Sequence, residues 1–453
     1  MTLLLRRRSP GLSSHILLQR PVKLGIDGFD YPDLYDAKRL EDLALAFDRY
    51  LEANDSALFR RFESYRVGMQ SGIAGGGLAA PEESALLVAV SRPLGSFLEQ
   101  LFQTDATSIA TRAQRDAQVA RFKKEFVAKR VAKVQNVPER DYNAAVGILV
   151  RTIAGAQESD LEFALAVTAN RLLDFEREYP RSAKTLAPSP QTRAAFGQLR
   201  DELRASGAFD DAIVHREYVE SPEAIAREAA AVHALSDLLT DWLAAEWTRR
   251  RFDGWTSFRL PKPLVFDHLV ETERVDSHTV VGPHDQYRRR DGFKLTDHRM
   301  TPREITDEAH YCIYCHERKK DSCSTGFSEN ADKYKVNPLG VPLAGCPLRE
   351  RIGEMNALRK DGHSIAALAI VMIDNPMCPG TGHRICNDCM KSCIFQKQDP
   401  VNIPQIETGA LTDVLFLPWG FEIYSLLTRW NPLHVRRPMA LPYNGKNVLV
   451  VGL

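Results

Sequence analysis

The first 311 residues of this 453-residue chain contain no cysteine, and neither do the last 60. A disulfide framework spread through the fold is therefore excluded. A secretory signal is lacking too, because Arg6, Arg7 and Arg8 interrupt any apolar stretch at the N-terminus. No apolar run approaches the ~18 residues that cross a bilayer. The longest, Ala366 to Ile373, is short and suits a buried helix face. Charge of one sign is lacking: 59 Lys plus Arg balance 59 Asp plus Glu. Neither nucleic acid nor an acidic membrane is favoured as a partner. The first twenty residues hold no acidic group and are rich in Arg and Ser, as in a weak organelle transit peptide. They read better as a solvated basic tail, and a cytoplasmic location is the expectation. The Gly-rich stretch at 71–84 has no following Lys-Ser/Thr, so it predicts a flexible turn rather than a phosphate loop.

At this length two or three domains are expected. Leu40, Leu43, Phe47 and Leu51 recur at helical spacing within a segment from Ala37 to about Tyr65. More helical pattern follows at about 84–104, 111–134, 141–156 and 159–178. Residues 182–192 are Ser/Pro-rich and predict a linker. Ser221-Pro222-Glu223 predicts a helix start, with the helix running to about Arg250. Beyond it, Ser257–Leu260 and His278–Val281 look β-like, and the basic cluster at 288–294 reads as a solvated loop. Residues 1–300 thus form a mostly helical domain whose sequence does not reveal its role.

The eight cysteines carry the chemistry: Cys312, Cys315, Cys323, Cys346, Cys378, Cys386, Cys389 and Cys393. A 4Fe–4S cube needs one outer ligand on each of four irons, and soft thiolates suit it. Two residues between cysteines let both sulfurs point one way from a single turn. In two-cluster ferredoxins the cysteine before a proline ligates the other cluster. That logic joins Cys346, which precedes Pro347, to Cys386, Cys389 and Cys393. Cys312, Cys315 and Cys323 then need a fourth ligand, either Cys378 or Glu407. Two zinc sites are the rival, since C-x-x-C pairs also bind zinc and His316, His363 and His383 lie nearby.

The motifs Gly345-Cys346-Pro347, Asn375-Pro376, Gly382-His383-Arg384-Ile385-Cys386 and Pro400-Val401-Asn402-Ile403, followed by Glu407, occur in one order. In this the chain resembles the N-terminal iron–sulfur domain of the glutamate synthase small subunit, which also begins dihydropyrimidine dehydrogenase. Residues 445–453 resemble the opening strand of that family's flavin domain, with Gly452 the first Gly of a dinucleotide fingerprint. The resemblance implies a mainly α fold: a helical region over 1–300, an α-helical ferredoxin-like domain with two 4Fe–4S clusters over 301–430, and a linker with the first strand of a truncated FAD/NAD(P)-binding Rossmann domain over 431–453. It implies Glu407 as a ligand, matching a Gln of dihydropyrimidine dehydrogenase. It also implies the electron-relay part of an FAD-dependent pyridine nucleotide-disulfide oxidoreductase, inactive without its flavin domain. FAD and NAD(P) would then bind only the full-length parent. The partners would be the missing flavin domain and a second redox subunit. The alternatives are a zinc-stabilised interaction module and a broken gene product.

Overall fold

Local capping groups set where the first helices begin. Asp36 opens α1 (Ala37–Asn54), its carboxylate accepting from Arg39 N at 3.0 Å. Asp55 then interrupts the run. Its carboxylate accepts from Ala57 N at 3.1 Å and Leu58 N at 2.9 Å, which starts α2 (Ser56–Gln70). The apolar spacing alone predicts one segment across this point, because a cap inside a run leaves the period intact. Within the stretch at 71–84 a 3-10 turn forms at Ala74–Gly77, and the next helix begins at Ala80. Gly76 sits at φ +60°, and a Cβ there would come within 2.6 Å of the Tyr65 ring and 2.7 Å of its carbonyl oxygen.

The computed structural model describes residues 22–137, 142–180, 188–207, 209, 222–283, 292, 299–318, 320–330, 333–381, 385–435, 447 and 449. After α3 (Ala80–Phe102) come α4 (Thr107–Arg121), a π-helical turn at Phe122–Val127, α5 (Asn143–Ala154), α6 (Leu161–Glu178), α7 (Pro190–Ala205), α8 (Pro222–Ala244) and α9 (Glu246–Phe252). The cysteine-bearing part contains α10 (Pro302–Tyr311), α11 (Ser322–Thr325), α12 (Ile352–Lys360), α13 (Ser364–Asp374), α14 (Cys378–Thr381), α15 (Asp388–Lys391), α16 (Ile403–Leu415) and α17 (Gly420–Arg429). The only strands among the described residues are two short antiparallel pairs, Glu273–Arg274 with Val280–Val281 and Ser328–Asn330 with Lys333–Tyr334. The fold is mainly α, as the sequence predicts. The β-like run at 257–260 is instead a 3-10 turn at Thr256–Phe258.

Helix α13 is buried on every side from Ser364 to Ile373. Such a helix is stable only when other helices wrap it. The wrapping comes from α12, α16 and α17, and also from α3 near the N-terminus. At Gly95 α3 lies against Ala366, where a Cβ would make ordinary van der Waals contact, 3.5 Å from Ala366 N. One continuous core therefore joins residues 24–109 to residues 305–433. A second core spans residues 119–252 and is built by α4, α5, α6, α7, α8 and α9. The expected boundary near 300 does not follow these cores. The apolar faces of α1 to α3 are buried against the cysteine-bearing helices, not against the second core.

Charged side chains fasten the two cores together. Arg303, on α10, meets Asp116 at 2.9 Å, Glu162 at 2.9 Å and also Asp160. Lys123, in the π-helical turn, pairs with Asp307. Within the first core the fully buried Arg359 lies 2.8 Å from Asp413, which Arg112 of α4 also meets at 2.6 Å. Among the described residues no single helix is long and apolar enough to cross a membrane. One bent pair, α16 and α17 at 117°, passes by length and composition together. Ile406, Ala410, Val414, Ile423 and Leu426 of that pair are buried in the first core.

Candidate cysteine-rich site

The turns that carry the cysteines adopt backbone conformations that ordinary residues avoid. Among the described residues five non-glycine residues have positive φ, and three of them lie in these turns. Tyr314 (φ 53°) sits between Cys312 and Cys315, Arg349 (φ 52°) follows Cys346, and Asn387 (φ 63°) sits between Cys386 and Cys389. Each such residue costs of order 1–3 kcal/mol and persists where the surroundings enforce it. The effect is to turn backbone N–H groups inward, as in an anion-binding nest. Tyr314 N donates to Cys312 Sγ at 3.4 Å. The N–H groups of Leu348 and Glu350 favour the Cys346 thiolate. Those of Ile394, Phe395 and Val401 favour the Cys393 thiolate.

The thiols sort into two groups by which of them repel one another. Cys315 acts on Cys312, Cys312 acts on Cys323, and Cys393 acts on all three. Cys346, Cys386 and Cys389 form the other group. This corrects the expected division, which placed Cys393 with Cys346. The reason lies in the chain's exit from α15. Phe395, two residues past Cys393, stacks on Tyr311 with ring centres 4.5 Å apart and planes at 12°. Gln398 and the carbonyl of Asp399 bond the Tyr311 hydroxyl. These contacts bring Cys393 to the end of α10, where Cys312 begins. The two groups also share a crossing, where Cys346 N donates to the carbonyl of Cys323 at 2.9 Å.

Cys378 does not join the first group. It is buried and faces the carboxyl groups of Glu407 and Glu350, beside the second. Glu407 is 8% exposed, so it is not a solvated helix residue. Burial first, and then the adjoining Glu350 carboxyl, push Glu407 up to about 9. The two carboxyl groups thus retain a proton between them. Asn375 Nδ2 donates to Glu407 Oε1 at 3.2 Å. Glu350 was not apparent from sequence; its place four residues after Cys346 was the available signal.

Burial pushes the bare thiols upward, Cys312 to about 11, and it raises Cys323, Cys378 and Cys389 as well. They are protonated at neutral pH, and any metal would displace those protons. Among the described residues no group of three or more His, Cys, Asp or Glu side chains is arranged to hold a metal ion. The expected description of this part as a formed metal-binding centre is corrected accordingly: the thiols sense one another without converging on one point. Gly382, His383, Arg384, the cluster at 288–294 apart from Gly292, the N-terminal tail through residue 21 and Gly452 lie outside the described residues.

A family model described as the RP005 N-terminal alpha-helical domain matches residues 24–103. The uncharacterized protein RP006 of Rickettsia prowazekii (strain Madrid E) is 60% identical over 77 residues, 17% of this chain and 11% of that protein. The uncharacterized protein RP005 of the same organism is 32% identical over 109 residues, 22% of this chain and 35% of that protein. The chain thus spans about a tenth and about a third of these relatives' lengths. No solved structure matches. These findings overturn the resemblance to the glutamate synthase small subunit and dihydropyrimidine dehydrogenase, and with it the oxidoreductase classification. The matching family model is a helical domain, and neither relative's name carries an iron–sulfur or oxidoreductase activity. The motifs behind the resemblance are short turns around cysteine and proline, and local turn chemistry is weak evidence of descent.

Proposed function

We propose that the cysteine-rich part is an electron-relay module whose two thiol groups are the ligand sets of two 4Fe–4S clusters, in an α-helical, ferredoxin-like arrangement. The observation that carries this reading is the pairing of Cys312, Cys315, Cys323 with Cys393. Three ligands come from one segment and the fourth from the far end of the other group, which is the ligand exchange of two-cluster ferredoxins. Thiolates on four separate irons stand apart from one another, so they need not converge as zinc ligands must. The donor set fits in a second way. Neutral thiols are weak acceptors, whereas backbone N–H groups aimed at sulfur are well used by thiolates.

When bound, such clusters would supply one-electron transfer between a donor and a partner site. The chain's own part is to hold and tune. Cys346, Cys386 and Cys389 offer three ligands to the second group, with Cys378 or Glu407 as the fourth. The N–H groups at Leu348, Glu350, Ile394, Phe395 and Val401 stabilise added negative charge. Residues 24–103 cover the module: α3 packs on Cys315–Arg318 as well as on α13.

The test is anaerobic reconstitution of the chain with iron and sulfide, followed by iron, zinc and acid-labile sulfide assays. About eight iron and eight sulfide per chain are expected for two cubes. About two zinc and no sulfide would replace the reading with a structural zinc module. Cys393→Ser should then disturb the first cluster, and Cys346→Ser the second, each leaving about four iron bound.

A further inference from the structure

A cavity of about 230 Å³ lies at the seam, where Leu260 packs against the second core and Phe395 against the first. Ala120, Lys124 and Ala128 line it and follow one another at four-residue steps. They therefore share one face of the chain from α4 through the π-helical turn. In that turn Ala128 N donates to the carbonyl of Lys123, five residues back, at 2.9 Å. Such turns are rare and are found mostly at functional sites. Pro261 and Ile313 join Leu260 and Phe395 in the rest of an apolar lining. Two polar groups at this cavity are left over. His310 Nε2 is buried without a hydrogen-bond partner among the described residues, which is unfavourable for a ring nitrogen. Lys124 is exposed and pairs with no carboxylate among the described residues. Asp307 also lines the cavity, but its partner Lys123 neutralises it. An apolar hollow with a few converging polar groups is the usual form of a small-molecule site.

We infer that this cavity binds a small aromatic carboxylate. Its ring lies among Ala120, Ala128, Pro261 and Phe395, and its carboxylate takes the Lys124 ammonium and a hydrogen bond from His310 Nε2–H. The sign of the ligand's charge follows from Lys124, a cation with no anion beside it, which a carboxylate meets with a charge-assisted hydrogen bond. The same carboxylate satisfies the ring nitrogen that the protein leaves unpaired. Size follows from volume. A cavity of ~150 Å³ takes benzene, so about 230 Å³ leaves room for a ring and a short acid side chain. Phe395 already stacks on Tyr311, and an aromatic guest extends that pair edge-on or offset. The inference does not depend on bound iron.

The experiment is a calorimetric titration of the full chain with phenylacetate, phenethyl alcohol and phenethylamine, which share a ring and spacer and differ in the head group. Phenylacetate is expected to saturate a single site per chain. Phenethyl alcohol should bind about tenfold more weakly, and phenethylamine not at all. Lys124→Met should weaken phenylacetate about tenfold. Lys124→Glu should abolish phenylacetate binding and admit phenethylamine. His310→Phe, which keeps a ring and removes the donor, should weaken phenylacetate as well. Ala128→Phe fills the hollow and should remove all binding, and Ala128→Leu serves if that variant fails to fold. No saturable binding of phenylacetate, equal affinity for the three compounds, or binding unchanged in the filled variant overturns the inference. Iron content does not enter the readout, so each outcome stands apart from the cluster reading.

Discussion

The two cores are built on opposite plans. The second core draws on one stretch of chain, residues 119–252, and its helices pack on one another within that stretch. The first core draws on both ends, 24–109 and 305–433, and its central helix α13 is covered from both sides of the chain. Where a core is local, its boundaries can be read from a run of helical pattern. Where it is shared, the pattern shows two half-cores that look like separate domains. The helical unit matched by the family model is thus one wall of the cysteine-bearing part rather than a domain beside it.

The seam offers the sharpest way to break this contrast. Arg303 holds Asp116, Asp160 and Glu162 together across the cores. Removing it leaves three carboxylates facing one another, a loss of about 3–5 kcal/mol. Arg303→Ala should split urea unfolding into two transitions, one per core; a single shifted transition would show that the cores remain coupled without it. Paired core truncations come next. Leu368→Ala in α13 and Leu165→Ala in α6 both remove fully buried side chains, each costing about 2–5 kcal/mol. In reconstituted protein, iron retention against a chelator should fall for Leu368→Ala and hold for Leu165→Ala. Equal loss in both would erase the distinction.

A pH dependence comparable in size belongs to the same seam. Burial pushes Glu308 from 4.5 up to about 7. The folded state thus holds this proton more tightly than the unfolded state. The resulting stability is fully present below about pH 4.5 and is lost as pH rises through 7, about 3 kcal/mol in all. Glu308→Gln should flatten that part of the pH profile of the denaturation midpoint. His310 has the opposite sign. Burial lowers it from 6.5 to about 4, so its contribution is present above pH 6.5 and lost as pH falls through 4. The Gln variant should keep this acid-side loss. The smallest effect is expected at Asp55→Ala, which removes the cap of α2 for about 1 kcal/mol. Thermal unfolding should register it in the first core alone.

Much of the local structure was legible in the sequence. Pro222 does open α8 and Ala366–Ile373 is a buried helix, but α7 was not read, and it begins at Pro190 inside the stretch expected as a linker. The confinement of the cysteines to one part of the chain was legible as well. The break at Asp55 was not, because an aspartate within a helical period looks like a surface residue. Nor was the allegiance of Cys393. Spacing shows that three cysteines lie near one another, but the side to which the chain turns after α15 depends on the Tyr311–Phe395 stack, 84 residues apart in sequence. Family resemblance misled because it weighed turn motifs, whereas the match that was found falls on helices with no cysteine.

The shared first core also sets a timetable for synthesis. Residues 24–109 leave the ribosome with their apolar faces formed but without α13 to cover them. About 200 residues must follow before α10 to α17 appear, which at roughly 5–20 residues per second is a wait of about 10–40 s. During that interval the second core can complete itself from its own contiguous stretch. The nascent chain therefore carries an exposed hydrophobic half-site past a finished domain, and a holding chaperone that recognises helical apolar faces would act on it for that interval.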